Sequence, residues 1–418
     1  MQSAFTIVSD IVTGADPRPA LAKLDVAWQE GRARLLAGLP ELHYCSFVTV
    51  ERGTRRYLTF ECNIDGEIAP FWAKLEQQWR AELEEVYRNC VGLVPGGLVP
   101  HFKANDEGQG TWYVAWRGRS ALEIRREEEF HRHIKTFLAN QSFRDLPPAR
   151  VREAIQEFVR ADTPLAAWAA DPPVRPFLVR WNPLIRKAAV GLGVLTVLLL
   201  TWAVWKVPAL LLLAIPLIAG AFYLRWRETH DQEGPTLRDP AILREVWRTE
   251  DRTVTNHMCG VTLVKPGIFR ATLLRLSLTV VGLAHRFWFN VGDLGGISSI
   301  HFARWVIHKG GRDLLFFSNY DGSWEGYLGD FIDRASSGLN SIWSNTETYP
   351  DTRYLVGAGA RDEPRFKAFG RNTMMPTRVW YAAYPNLTVG NIESNARIRE
   401  GLFGSLDATE TRAWLARF

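Results

Sequence analysis

The residue types best able to do chemistry cluster in one stretch of the second half, HFARWVIHKGGRDLLFFSNYDG, from His301 to Gly322. His301, Arg304 and His308 lie in a run rich in β-branched and aromatic residues, which reads as a strand. Side chains alternate along a strand, so His301 and His308, seven apart, are expected on opposite faces and unable to share one metal. Arg304 and His308, four apart, are expected on one face, where an imidazole beside a guanidinium suits an anionic or peroxide-bearing ligand. The bland alternative is a strand-end histidine with a solvated arginine. Asp321 closes the stretch in an Asp-Gly pair. Its carboxylate can shuttle a proton, or it can end a strand and start a helix.

Further candidates are scattered. His257 and His285 flank the first strand and helix of the same half, and His101 lies in a Gly/Pro-rich loop. Glu128-Glu129-Phe130-His131 has the Glu-x-x-His spacing of di-iron bundles, but such sites need two copies and two more carboxylates. The flanking RREEEFHRH reads as a solvated helix face. The sequence holds no Walker A loop, no G-x-G-x-x-G after a strand, no H-E-x-x-H and no G-x-S-x-G. That argues against an NTPase, a Rossmann dehydrogenase, a zincin and a standard lipase. Helix-turn-helix, RNP and zinc-finger patterns are missing too, so the net charge of +5 is not read as a nucleic-acid footprint. It suits a face near anionic lipid.

The elements that must position these residues repeat. HYCSFVTVERGTRRYLTFECNIDG, His43 to Gly66, matches the His301 stretch with a two-residue insertion at Thr54 and Arg55. Phe47 matches Trp305, Gly53 matches Gly311, Arg56 matches Arg312, and Asn63-x-Asp65-Gly66 matches Asn319-x-Asp321-Gly322. Each piece predicts a β-hairpin, followed by a helix marked by Phe71, Leu75, Trp79 and Leu83, or by Tyr327, Phe331 and Leu339. A further strand (Thr111–Gly118 or Arg353–Gly359) and a second helix (Ala121–Leu138 or Glu363–Arg371) come next. Thr377–Tyr384 reads as a closing strand without a secure counterpart, and Asn386–Arg399 as a loop and short helix. A strand and helix also precede each hairpin: Phe5–Val12 with Pro19–Leu36, and Gly260–Val264 with Phe269–Phe289. The resulting order, β-α-β-β-α-β, is that of the split βαβ motif. Because Asp65 repeats Asp321, the Asp-Gly pair reads first as architecture, and features of one half alone are better site candidates.

Between the halves, Ala188–Trp205 and Val207–Leu224 are two uncharged runs, each about 18 residues long, interrupted by Lys206 and Pro208. They predict an antiparallel transmembrane hairpin, with a re-entrant hairpin as the alternative because Pro208 and Pro216 weaken its second helix. Arg180, Arg186, Lys187, Arg225 and Arg227 at its base place both soluble parts on the cytoplasmic side. Trp181, Trp202, Trp205 and Trp226, among 17 tryptophans in all, fall near the expected interfaces. No signal peptide is expected, and Cys45, Cys62, Cys90 and Cys259, without a CxxC pair, read as reduced structural thiols. The segment Ile268–Asn290, with Arg270, Arg275 and Arg286 in an apolar run, fits either a core helix or one lying on the membrane surface.

With duplicated halves of this order and an Asp-Gly after a core strand in each, the chain resembles the dimeric α+β barrel superfamily. That superfamily includes dye-decolorising peroxidases, chlorite dismutases and small quinone-forming monooxygenases. Dye-decolorising peroxidases carry a Gly-x-x-Asp-Gly motif whose Asp acts beside haem; here the stretch is Ser318-Asn319-Tyr320-Asp321-Gly322, without the first glycine. The expected fold is α+β: two tandem ferredoxin-like domains, 1–165 and 251–418, joined through linkers 166–187 and 226–250 to a hairpin at 188–225. The hairpin is foreign to those enzymes; taken with it, the resemblance implies a membrane-tethered, haem-dependent, peroxidase-like oxidoreductase acting on an apolar or membrane-derived substrate. Asp321 would handle protons, Arg304 would hold an anionic group, and His257, His301 or His308 would ligate iron, with His285 a further axial candidate. The alternative is a non-catalytic, membrane-anchored lipid-binding or scaffold protein.

Overall fold

The computed structural model describes residues 2–52, 54–93, 97–140, 143, 146–231, 240–289, 292–309 and 312–418. The matched Gly53 and Gly311, Asn290, and stretch 232–239 of the expected second linker lie outside the described residues. The first half runs β1 (Gln2–Asp10), α1 (Arg18–Glu30), α2 (Arg32–Gly38), β2 (Leu42–Arg52), β3 (Arg55–Asp65) and α3 (Ile68–Tyr87). It continues through α4 (Leu98–Asn105), β4 (Thr111–Val114) and α5 (Ala121–Ala139). Helices α6 (Pro148–Arg160), α7 (Thr163–Ala170) and α8 (Phe177–Arg180) lead to two apolar helices, α9 (Asn182–Lys206) and α10 (Ala214–His230), with a 3-10 turn at Pro208–Leu213 between them. After α11 (Pro240–Trp247) come β5 (Thr255–Leu263), α12 (Ile268–Phe287), β6 (Ile300–Ile307) and β7 (Asp313–Asp321). Next are α13 (Trp324–Asp330), α14 (Ser336–Trp343), β8 (Thr352–Arg353), β9 (Gly357–Ala358) and α15 (Glu363–Thr373). The chain closes with β10 (Met374–Met375), β11 (Thr377–Ala382), α16 (Val389–Leu402) and α17 (Ala408–Leu415).

The architecture is α+β with antiparallel sheets, ordered β1-β3-β2-β11 and β10-β5-β7-β6-β4. Each half gives a strand to the other's sheet: β4 lies against β6, with Trp112 opposite Arg304, and β11 lies against β2, with Trp380 opposite Ser46. Backbone chemistry drives the crossing. Met374 and Met375 pair with β5, and then Pro376, which has no N–H to give a ladder, releases the chain to the other sheet. In the first half Asp106 bridges Ile7 before the chain passes Gly110, at φ 63°, where a Cβ would sit 2.2 Å from the carbonyl oxygen of Trp305. Only glycine allows that approach to β6.

This exchange corrects the expected strand matching. The counterpart of Thr377–Ala382 is Thr111–Val114, whereas Arg353–Gly359 supplies only the small β8–β9 hairpin. Nor are the halves separable at 1–165 and 251–418. Phe130, Ile134, Ile155 and Val159 of α5 and α6 share one core with Ile398, Leu402 and Trp414 of α16 and α17. The expected linker 166–187 begins inside α7, whose Ala169 is buried in that core. Asn386–Arg399, expected as a loop and short helix, contains most of a regular helix started by a Thr388–Asn391 capping box.

Helices α1, α3 and α4 cover the outer face of the first sheet, and α12 through α15 that of the second. Between the sheets lies a third apolar layer, with Val8, Val48 and Val50 against Val261, Val306, Leu315 and Phe317. All four cysteines are buried and unbridged. Helix α9 departs from this packing: Val197, Leu198, Leu199 and Leu200, 62, 61, 55 and 61% exposed, cover a full turn.

Candidate functional site

Of the residues singled out on the second half, His257, His301, Arg304, His308 and Asp321 occupy the space between the sheets, and His285 lies outside it on α12. A bulge in β6 between Ile300 and Phe302, matched by one in β2 between Leu42 and Tyr44, shifts the register at His301 and at His43. The extra residue overrides alternation. His301 therefore reaches the first sheet, its ring 5.5 Å from that of Tyr44, as do Arg304 at Glu61 and His308, 5.3 Å from Tyr57. His301 and His308 were expected on opposite faces; the bulge puts them on one.

His301 Nε2 lies 2.6 Å from Asp321, and His43 Nε2 lies 3.1 Å from Asp65. The second oxygen of each carboxylate accepts a backbone N–H at the start of the helix after an exchanged strand. Asp321 takes that of Val389 at 2.7 Å, and Asp65 takes that of Ala121 at 2.8 Å. A carboxylate is favoured at a helix N-terminus, so each His–Asp pair latches the helix after an exchanged strand back to the sheet of its own half. Asp321→Ala is expected to cost about 1–3 kcal/mol, and Asp321→Asn less, because the amide oxygen can still accept from Val389. Urea unfolding of both variants checks this; equal losses would count against the latch.

Deeper in, one cluster has no counterpart in the repeat. Glu61, Arg304 and His257 stand where the matching strand positions carry Phe317, Ser46 and Ala4. Arg304 pairs with Glu61 and donates to the Phe5 carbonyl at 2.9 Å. Asn63 and Ser46 also donate to Glu61, at 3.2 and 3.5 Å. His257 has Nε2 3.7 Å from Glu61 and Nδ1 3.0 Å from the Thr377 hydroxyl. Burial opposes ionisation of Glu61, but Arg304 and His257 outweigh it and hold the carboxyl below the usual range. Burial also draws the Arg304 guanidinium down from its ordinary value. At the far end His308 Nδ1 meets Glu107 at 2.7 Å.

Haem ligation by these residues would have to displace contacts they already make. Asp321, Arg304, His257, His301 and His308 each have a protein partner. The cavity at His43 and His301, also lined by Phe302 and Tyr384, is about 10 Å³. A small-molecule site takes roughly 300–1,000 Å³.

A larger opening lies on the outer face of the second sheet. A cavity of about 340 Å³ is bounded by Val281, Ala284 and His285 of α12, Trp305 of β6, and Phe331, Leu339 and Ile342 beyond. Its far wall is a π-turn at Phe331–Ala335, inserted between α13 and α14. The wider turn lines the space with Phe331, Asp333 and Arg334, and the small residues Ala335-Ser336-Ser337-Gly338 follow. Burial, then Arg117, push His285 down to about 3, so its ring is neutral. The ring hydrogen-bonds the backbone of Trp112, while Nδ1 is buried without a hydrogen-bond partner among the described residues. The indole N–H of Trp305, whose ring centre is 5.8 Å away, is likewise buried with no partner among the described residues. Arg334 and Arg361 also border the cavity.

No family model, curated protein or solved structure matches this chain.

His285 was legible in the sequence as a lone imidazole. Trp305, Arg334 and the π-turn were not, because Tyr327, Phe331 and Leu339 read as one unbroken helix. The available signal was Ala335-Ser336-Ser337-Gly338, four small residues where a core-facing helix would carry bulk.

Proposed function

We propose that this chain is an integral membrane protein that binds an apolar, hydroxyl-bearing small molecule in the cavity beside His285. In this reading two ferredoxin-like halves exchange strands into a dimeric α+β barrel within one chain, and α9 and α10 anchor it to the bilayer. The cavity is the observation that carries the binding role. Its wall is mainly apolar, with Asp333, Arg334 and Arg361 at its border, and His285 Nδ1 and Trp305 Nε1 are an acceptor and a donor without hydrogen bonds among the described residues. A hydroxyl can serve both at once, as the wall closes on the ligand. The anchor is supported by the bare circumference of α9, and by Arg180, Arg186, Lys187, Arg225 and Arg227 at the base of the helices, which favour the cytoplasmic side. An apolar ligand would then be drawn from, or delivered to, the lipid phase.

Calorimetry on the full chain in mild detergent tests the binding role, with 4-hexylphenol against 4-hexylanisole, which lacks the donor. The phenol is expected to bind roughly tenfold more tightly, the value of one buried hydrogen bond. Ala284→Trp should abolish binding of both, and His285→Phe should erase the preference. Binding unaffected by Ala284→Trp, or no binding by folded protein, would overturn the proposal. A hemin titration covers the oxidoreductase expectation: a Soret band saturating at one haem per chain, and lost in His285→Phe, would replace the alcohol with iron.

A further inference from the structure

We infer that α12 is a second membrane contact, lying along the bilayer surface with its outer face among the lipids. One side of α12 packs on the protein, burying Arg270, Leu274, Ser277, Leu278 and His285. The other side carries Ile268, Leu276, Val280 and Leu283, each more than half exposed, with Phe287 at the end. These positions recur at helical spacing and form one apolar stripe. Arg275 and Arg286 run beside it, where they can meet anionic headgroups.

What fixes the occupant as a bilayer is how α12 is tied to the apolar helices. At its C-terminal end Asn182 of α9 donates to the Phe287 carbonyl at 3.1 Å, and Arg186 donates to that of Trp288. At its N-terminal end Arg227 of α10 donates to the Pro266 carbonyl at 3.4 Å, and the Tyr223 ring meets Phe269 at 4.8 Å, edge to face. Twenty residues of helix span about 30 Å. The feet of α9 and α10 therefore stand at opposite ends of α12, and any membrane that takes both helices must meet the helix strung between them. A helix of this kind sinks its apolar face about 5–10 Å into the headgroup region. Val281, Ala284 and His285 on the same helix wall the cavity, so the ligand site would sit directly above the lipid surface.

The inference rests on the proposed hairpin, and site-directed spin labelling separates the two. The native cysteines are buried, so single cysteines can be labelled in the full chain: Leu276→Cys and Leu283→Cys on the stripe, Leu198→Cys on α9, and Val26→Cys on α1 as an aqueous reference. The protein is reconstituted in phosphatidylcholine vesicles containing phosphatidylglycerol, and accessibility to oxygen and to a nickel chelate is measured. The stripe labels are expected to favour oxygen several-fold over the reference and to report depths of about 5–10 Å, with the α9 label deeper. If the stripe labels match the reference while α9 is deep, α12 does not touch the membrane and the hairpin stands. An α9 label that also matches the reference would remove the hairpin itself. Dipolar broadening at the stripe, without oxygen preference, would make a second copy the occupant and likewise overturn the inference.

Discussion

Replacing Glu61 with alanine is expected to destabilise the protein by about 3–5 kcal/mol, because it leaves Arg304 charged and unpaired between the sheets. Arg304 is 1% exposed, and its remaining hydrogen bonds go to backbone carbonyls, which do not neutralise it. The double variant Glu61→Leu, Arg304→Met removes both charges and should recover most of the loss, since apolar packing often replaces a buried ion pair without penalty. Urea unfolding of the singles and the double measures this directly; additive losses would show that the pair is not coupled.

The same carboxylate sets a pH dependence. The folded-state pKa of Glu61 lies below its ordinary value, so its contribution is complete above the ordinary glutamate range. It is lost as pH falls through the depressed folded value, because the unfolded chain takes up the proton more readily. Acid titration of stability should therefore be steeper in the wild type than in Glu61→Gln, which has no proton to gain. Parallel curves would place the acid sensitivity elsewhere.

Leu198→Arg should have the second largest effect. Leu198 lies mid-helix in α9 and is 61% exposed. A guanidinium at the centre of a spanning helix costs about 2.5–3.5 kcal/mol on the insertion scale, so the equilibrium for inserting α9 should fall by roughly a hundredfold. In water the same change would place a charge on an open surface at little cost. Alkaline carbonate extraction reads the difference: wild type and Leu198→Ala remain with the membrane, while Leu198→Arg moves toward the soluble fraction. Wild type released by carbonate would sink the spanning reading.

Much of the molecule could be read from residue order. The hairpins ending in Asp65-Gly66 and Asp321-Gly322 lie where alternation and turn residues place them. The first apolar run is one helix up to Lys206, and Pro208 opens the 3-10 turn that separates it from α10. The repeat correctly marked Asp321 as one of an equivalent pair, since Asp65 caps α5 just as Asp321 caps α16.

What residue order could not settle was which edge each strand would join and where each buried charge would find its partner. Thr111–Val114 and Thr377–Ala382 have strand character by themselves, but pairing across the halves depends on Gly110 and Pro376 at the crossings. A bulge at His301 reverses a face, and the reversal depends on how β6 registers against β7. The partnership of Glu61 with Arg304 joins residues 243 positions apart. The cavity beside His285 depends on one widened helical turn. Local sequence sets the propensity of each segment; register, crossing and cavity are properties of surfaces that meet only after the chain has folded.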